Sequence, residues 1–378
     1  MNYFEESVKL HKKLHGKIEL KNKVSLENRQ DLSLAYTPGV GQVSVEVAQD
    51  PKLAREMTLK HNTIAVISDG SAVLGYGNLG AYGAIPVMEG KAALFKGFAN
   101  LDAFPICLNT QDTEEIIKTI KNIAPVFGGI NLEDISAPRC FEIEERLKKE
   151  LDIPVMHDDQ HGTAVVVLAA LINILKLTGK NKESVKIVVN GAGAAGTAIV
   201  KMLLKYGFKN IIMCDTQGII NKSRAELSGM KKELAELTNH DQLTGDLAKA
   251  VTGADIFLGV SKPGVLTAEM IKTMAGKPAI LAMANPIPEI MPDEAKAAGA
   301  WIIGTGRSDF PNQINNVLAF PGIFRGALDN NVRQITSEML IVAAQNLADF
   351  VSELSVDKIL PSPFDKGVAE TVAAAIKD

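Results

Sequence analysis

The chain has 378 residues, more than one hydrophobic core usually supports, so two domains with a cleft between them are expected. With 46% hydrophobic, 22% charged and 5% aromatic residues and 31 glycines, the composition is that of an ordinary soluble α/β protein and excludes the disordered and membrane classes. A net charge of -4, without any Lys/Arg cluster interleaved with aromatics, excludes nucleic acid as a partner.

Residues 1–30 are rich in Lys, Glu and His, with Val8, Leu10 and Leu14 loosely at helical spacing, which predicts a helix and a surface arm. No basic stretch there leads into an apolar core, and the longest apolar run, Ala164 to Ile172, is too short to span a bilayer; the cytoplasm is the expected location. Tyr36-Thr-Pro-Gly-Val-Gly41 demands a loop with unusual backbone angles and an aromatic hydroxyl at its entrance. Thr63 to Ser68 is a strand pattern, followed by a glycine-dense loop and then a helix carrying Lys91 inside an apolar stretch. Burial there should depress the lysine's pKa by disfavouring its charged form; snorkelling to water is the alternative. Ala103 to Leu108 reads as a strand, and Gln111-Asp-Thr-Glu-Glu opens a helix to Asn122 with acids in its first turn.

Val126 to Leu132 reads as a strand closed by Glu133 and Asp134, and a charged amphipathic helix follows from Pro138 to Glu150. Leu151 to Met156 is a further buried-strand pattern, so Asp158 and Asp159 leave the carboxyl end of a strand, where open α/β sheets bind ligands. Two strand ends that each deliver carboxylates can hold one divalent cation between them, although an N-cap plus a solvated acid would also explain the Asp pair. Repeated strand-helix alternation gives a parallel sheet, and the first domain is placed at 1–158.

The second domain, 159–378, declares itself at Val185 to Asn190, followed by Gly191-Ala192-Gly193-Ala194-Ala195-Gly196 and a helical run to Tyr206. Strand, glycine turn and helix occur in the order a dinucleotide fold requires: Gly191 for the tight turn, Gly193 for approach of the pyrophosphate, Gly196 for close helix packing. Asp215, closing the strand from Ile211, is spaced to bind the adenosine ribose. It would repel a 2′-phosphate, and Thr216 and Gln217 supply no cation, so NAD is favoured over NADP, with Lys222 and Arg224 the basic residues that keep NADP open. Later strands are expected at Ile256 to Val260, Ala279 to Ala284 and Trp301 to Ile303, with polar loops at Asn285-Pro286 and Asn315-Asn316, and mainly helix from Val332. Cys107, Cys140 and Cys214 lack metal-ligand spacing and sit among apolar neighbours, as small buried side chains do in a reducing compartment.

Together, Tyr36 to Gly41, Glu89-Gly-Lys91, Glu133-Asp134, Asp158-Asp159 before Gly162-Thr163-Ala164, the Gly191 fingerprint, Asn285-Pro286 and Asn315-Asn316 resemble the malic enzyme family, most closely its short prokaryotic members. The resemblance covers nearly the whole chain, and the phosphotransacetylase-like extension of some bacterial relatives is not expected. It implies an α/β protein with an N-terminal substrate and metal domain, then a Rossmann-type doubly wound dinucleotide domain whose C-terminal helices pack back on the first. It further implies Tyr36 as general acid, Lys91 as general base and substrate contact, Glu133, Asp134 and Asp159 as ligands of Mg2+ or Mn2+, and Asn285 and Asn315 on the malate carboxylate. Asp158 and Asn316 are additional candidates. His157 and His161 are assigned structural roles, because the larger eukaryotic members differ around the Asp pair. A homodimer acting on L-malate or pyruvate is implied.

The chemistry asks for the same residue types. Oxidising a 2-hydroxy acid needs a base for the hydroxyl proton and a hydride acceptor, and decarboxylating the 2-oxo acid needs a hard cation for the charge on the C2 oxygen. Competing readings are a malolactic-type enzyme, giving lactate with no net NADH, and a non-catalytic nucleotide-sensing protein on the same fold.

Overall fold

Short β-branched runs alternate with amphipathic and buried helices along nearly the entire chain, and the structure, a computed structural model, describes residues 3–227 and 229–377. Four helices come first: α1 (Tyr3–Leu14), α2 (Arg29–Ala35), α3 (Val40–Gln49) and α4 (Leu53–Met57). None of them has a buried residue. Behind α1, Lys17 reaches across to the Pro86 carbonyl, 2.6 Å from Nζ, and so ties this arm to the body.

The first sheet is built from β1 (Thr63–Ser68), α5 (Gly80–Ala99), β2 (Asp102–Cys107), α6 (Thr113–Ile123), β3 (Gly129–Leu132), α7 (Arg139–Glu150) and β4 (Val155–His157). Its strands are parallel in the order β2-β1-β3-β4. The chain therefore reverses direction across the sheet between β1 and β3, and their carboxyl ends form a crevice. Local signals start and stop these elements. Asp112 caps α6 by accepting from the Glu115 N–H at 2.9 Å, with Glu114 and Glu115 in the first turn and Lys121 in the last.

Two expected strands are shorter than their apolar runs. Residues 124–126 form a single 3-10 turn around Pro125, leaving only Gly129–Leu132 in the ladder. Pro154 donates nothing but accepts from the Ile130 N–H at 2.9 Å, so β4 begins at Val155. No loop follows β4: α8 (Asp158–Thr178) starts directly, placing Asp158 and Asp159 in a first helical turn as well as at a strand end.

The second sheet comprises β5 (Ile187–Asn190), α9 (Ala194–Tyr206), β6 (Ile211–Asp215), β7 (Gly218–Ile219), α10 (Gly229–Leu237), α11 (Leu247–Val251), β8 (Ile256–Gly259), α12 (Ala268–Lys272), β9 (Ala279–Ala282), α13 (Pro292–Ala297) and β10 (Ile302–Thr305). The order is β10-β9-β8-β5-β6-β7, parallel except for the short antiparallel edge β7, and the reversal falls between β5 and β8. This is the doubly wound Rossmann arrangement.

α8 joins the two halves. It is long and apolar enough to cross a membrane by length and composition, yet Ala164 to Leu171 are no more than 1% exposed and pack against α9 and α15 (Ser337–Asp349). Each buried Val or Leu of this kind is worth roughly 1.5–3 kcal/mol relative to exposure. The C-terminal helices α14 (Phe320–Asp329) and α16 (Val368–Ala373) pack back onto α5, where Phe95 meets Phe320 and Phe324 edge-on at 4.6 and 5.6 Å.

Candidate active site

At the β1/β3 crevice the chain collects acids around one lysine. Lys91, on α5 and 7% exposed, places Nζ 2.6 Å from Asp158 Oδ2, 2.8 Å from Glu133 Oε1 and 4.2 Å above the Phe320 ring. Glu133, Asp134 and Asp159 each present a carboxylate oxygen within 4.8 Å of the others. Asp159 Oδ2 accepts from the Asp134 N–H at 2.9 Å, Glu133 Oε2 accepts from Asn131 Nδ2 at 2.9 Å, and Asp134 Oδ1 accepts from the Leu74 N–H at 3.4 Å. Asp134 sits at φ 53, a left-handed angle that Asp tolerates better than most side chains.

The cluster is short of positive charge. Burial, then the negative Asp159 and Glu133, push the Asp134 carboxyl up to about 9, and burial likewise raises Glu133, Asp158 and Asp159 against the pull of Lys91. Asp134 Oδ2 is buried and finds no hydrogen-bond partner among the described residues. An orphaned carboxylate oxygen beside two further acids is a hard, all-oxygen donor set, and it fits Mg2+ or Mn2+.

The expected depression of Lys91 is not what the fold produces. Burial does oppose its charge, but Asp158, Glu133 and Asp159 outweigh burial and hold the ammonium above its ordinary pKa. The apolar neighbours along the sequence account for the desolvation, whereas the three acids come from other elements, Glu133 from the end of β3 and Asp158 and Asp159 from the start of α8.

Asn285 follows β9, and Gly75 of the glycine-dense loop passes so close to the Asn285 carbonyl that any Cβ there would collide with it. The same loop touches Asp134 through Ala72 and Leu74, so the Asn285 loop and the acid cluster share a wall. Asn316 packs beside Gly162 on the first turn of α8, near Asp158. Asn315 spends its Oδ1 on the Val317 N–H at 2.9 Å, which leaves its amide N–H donors for an anion. Tyr36 is the C-cap residue of α2, is 64% exposed, and its hydroxyl bonds to no described residue.

Glu144 escaped the sequence reading. It lies on α7 with 5% exposure and accepts from the His157 N–H at 3.0 Å, Gln160 Nε2 at 3.3 Å, His161 Nε2 at 3.0 Å and Lys148 Nζ at 2.7 Å. Burial opposes its charge, yet His161 and Lys148 hold the carboxyl well below the usual range. Through these contacts the start of α8 is clamped to α7, with His161 part of the clamp. Its one sequence signal is position, since Glu144 falls on the same helical face as Cys140, Ile143 and Leu147.

At the second crevice the glycines act as expected from their order. Gly191 has φ +121, and a Cβ there would strike the Val260 carbonyl; a Cβ on Gly196 would strike the Gly191 carbonyl; Gly193 faces open space at the start of α9. Gly191, Ala192 and Gly193 line one end of a cavity of about 1090 Å³ that extends to Asp215, with Ala194, Ala195 and Gly196 following in the first turn of α9. A pyrophosphate there would meet free N–H groups and the positive end of α9. Asp215 itself differs from the expectation: Arg224 donates to both its oxygens at 2.9 and 3.2 Å, and Lys231 lies 2.6 Å from Oδ2. Burial opposes its charge, but these donors hold the carboxyl at about 2. Cys140 and Cys214 are buried, Cys107 is partly so, and all three are free.

A dinucleotide crevice and a divalent-cation cluster joined by a single buried helix define a class: metal-dependent, dinucleotide-linked oxidoreductases built from two α/β units. Comparison with known proteins narrows it. Residues 15–148 match the family profile "Malic enzyme, N-terminal domain" and residues 160–377 match "Malic enzyme, NAD binding domain". The "Bifunctional malic/malolactic enzyme" of Bacillus subtilis is 55% identical over all of this chain and 92% of its own length. The "NAD-dependent malic enzyme" of Geobacillus stearothermophilus is 56% identical over 96% of this chain and 76% of its own. The solved structure of an NAD-dependent malic enzyme from Thermotoga maritima superimposes with a TM-score of 0.95 at 52% identity, covering 98% of both chains. The chain belongs to the malic enzyme family.

Proposed function

We propose that this chain oxidatively decarboxylates L-malate to pyruvate and CO2, reducing NAD by preference, NADP being the alternative acceptor, with Mg2+ or Mn2+ held by Glu133, Asp134 and Asp159. The observation that carries this reading is the mutual 4.8 Å grouping of those three acids around a buried lysine. When bound, the cation supplies Lewis-acid stabilisation of charge on the substrate's C2 oxygen.

The chain's own residues divide the remaining work. Lys91 takes the C2 hydroxyl proton. It can do so after passing a proton to Asp158, which lies 2.6 Å away and whose own pKa burial raises well above the usual range. Gly191 to Gly196 and Asp215 would hold a dinucleotide, which when bound would supply the acceptor for the C2 hydride. Asn285 and Asn315 orient the carboxylate through their amides, with Asn316 and Asp158 beside them. After CO2 leaves, Lys91 returns its proton to the enolate oxygen to give the enol; Tyr36 then donates a proton at C3 as Lys91 recovers the enol proton, and the proton held on Asp158 balances the one lost from Tyr36. Most of the exposed large apolar side chains lie before residue 86, on the arm and loops around Tyr36. A second copy covering this face, in a homodimer, gives the Tyr36 loop a fixed place. The division of labour puts most of substrate and metal binding in 1–158 and the dinucleotide in 159–378, which also lends Asp159, Asn285 and Asn315 to the first site, in a cytoplasmic enzyme.

A coupled assay of NADH, pyruvate and CO2 from L-malate, with and without EDTA, tests the reading. Lactate formed without net NADH would instead favour the malolactic reading, which the name of the Bacillus subtilis relative keeps in view. No turnover of malate in either form would overturn both.

A further inference from the structure

We propose that Glu289 is the positioning residue of the Asn285 loop: it fixes that loop to the wall of the dinucleotide cavity, with Gly75 as the opposing stop. Glu289 closes the stretch Asn285-Pro-Ile-Pro-Glu289, where an acid would ordinarily be solvated. In the fold it is 0% exposed, and its described partners are all neutral donors. Oε1 accepts from the Ser261 N–H at 2.8 Å and from the Ser261 hydroxyl at 3.1 Å, while Oε2 accepts from the Ala284 N–H at 3.0 Å. Gly259, the last residue of β8, makes room for the carboxylate, since a Cβ there would collide with it. One side chain thus bridges the carboxyl ends of β8 and β9.

The bridge joins two sites. On one side, Ser261 lines the cavity that begins at Gly191, and its hydroxyl accepts from Asn190 Nδ2 at 2.8 Å. On the other, Ala284 immediately precedes Asn285, whose Nδ2 lies against Gly306, 2.7 Å from where a Cβ would stand. From outside, Gly75 of the first unit abuts the Asn285 carbonyl, so the loop has a stop on each face. A carboxylate buried without a cation is costly, and an apolar filler would serve stability better. What a carboxylate offers is two acceptor oxygens, one for each loop; an amide of the same shape has one, and would turn its NH2 towards a donor. Both oxygens are needed only if the two loops must keep a fixed spacing. Orienting a substrate group is the kind of task in which a displacement of about 1 Å is felt strongly. This inference rests on the malate reading and names the residue that sets the substrate end of that site.

Isothermal titration of the full chain with L-malate in the presence of Mg2+ but without a dinucleotide, and separately with NADH, tests it without turnover. Glu289→Gln keeps the shape and one acceptor, so it should weaken L-malate about tenfold while NADH binding stays within a factor of about 2. In steady-state assays the KM for malate should rise by a similar factor and kcat should fall less. Gly75→Ala pushes the same loop from the opposite face; Gly75 is exposed, so this variant keeps the test available should Glu289→Gln impair folding, and it should weaken L-malate at least as much. Malate affinity indifferent to both substitutions, or equal losses of malate and NADH in Glu289→Gln, would overturn the inference and leave the malate reading standing. A wild-type chain that neither binds nor turns over malate would overturn that reading, and the inference with it.

Discussion

The two crevices occupy the same topological position on two sheets, yet they are built from opposite materials. Between β1 and β3 the site is made of side chains: one lysine from α5, two acids from the end of β3 and two from the start of α8, with burial opposing the charge of each. Between β5 and β8 it is made of backbone: Gly191 and Gly196, whose missing Cβ atoms let a helix start close to a strand, and Gly193, which faces the open crevice. Charge-built and backbone-built sites should fail differently. The first should respond to a lost carboxylate, to the cation and to pH, whereas the second should respond to added bulk.

The largest separation should come from Asp159→Ala. It removes one of three anionic ligands and the acceptor for the Asp134 N–H, so activation by Mg2+ or Mn2+ should vanish while NADH binding, at the other crevice, stays within a factor of about 2. Metal dependence equal to that of the wild type would show that Asp159 is not a ligand. Next in size, Lys91→Ala should cost on the order of 10² to 10⁴ in NADH-dependent reduction of oxaloacetate. Tyr36→Phe should spare that step more and slow exchange of pyruvate methyl protons with solvent by a similar factor. The reverse pattern would exchange the two roles, and two fully active variants would remove both residues from the chemistry.

The same contrast explains what could be read from the sequence. Backbone sites are local: Gly191, Gly193, Gly196 and the flanking strand and helix lie within one short stretch, and their geometry follows from their order. The acids were legible as pairs at the ends of β3 and β4, because strand ends are marked by the apolar runs before them. Charge environment was not legible. Lys91 looked desolvated among apolar neighbours in its own helix, but its pKa is decided by Asp158 and Glu133 from other elements. Asp215 looked unpartnered for the same reason, since Arg224 and Lys231 are 9 and 16 residues away along the chain. Glu144 was hidden as one more acid on a charged helix with Lys148 at i+4, and only the fold adds the His157 N–H from β4 and Gln160 and His161 from α8.

Glu144 offers a smaller effect that distinguishes support from ligation. Because it holds the His157 N–H, Gln160 and His161, Glu144→Ala should loosen the turn that carries Asp158 and Asp159, weakening Mn2+ about 10- to 100-fold as loss of supporting shells commonly does. Glu144→Gln keeps acceptor capacity for the His157 N–H and should recover much of the affinity. Electron paramagnetic titration of Mn2+ reads this directly. Equal losses in both variants would mean that the charge, rather than the placement, is what matters.

The smallest effect should be a pH dependence of stability confined to the charge-built crevice. Asp134 titrates near 9 in the folded chain because of burial and then its acidic neighbours, against an ordinary value of 3.8. Between those values the folded chain keeps a proton that the unfolded chain has released. Stability of the cation-free protein is therefore greatest at the low end of this window and is lost as pH rises towards 9. Glu133, Asp158 and Asp159 are shifted in the same direction and add to the slope, while Lys91, held above its ordinary value, stays charged throughout. Saturating Mg2+ binds the ionised carboxylates, so it should flatten or invert the slope by stabilising the folded chain more at high pH than at low. Melting curves between pH 6 and 9 in EDTA should show a decline of about 2–4 °C for each kcal/mol lost, and the decline should disappear with Mg2+. Parallel curves with and without the cation would mean that these acids do not form its site.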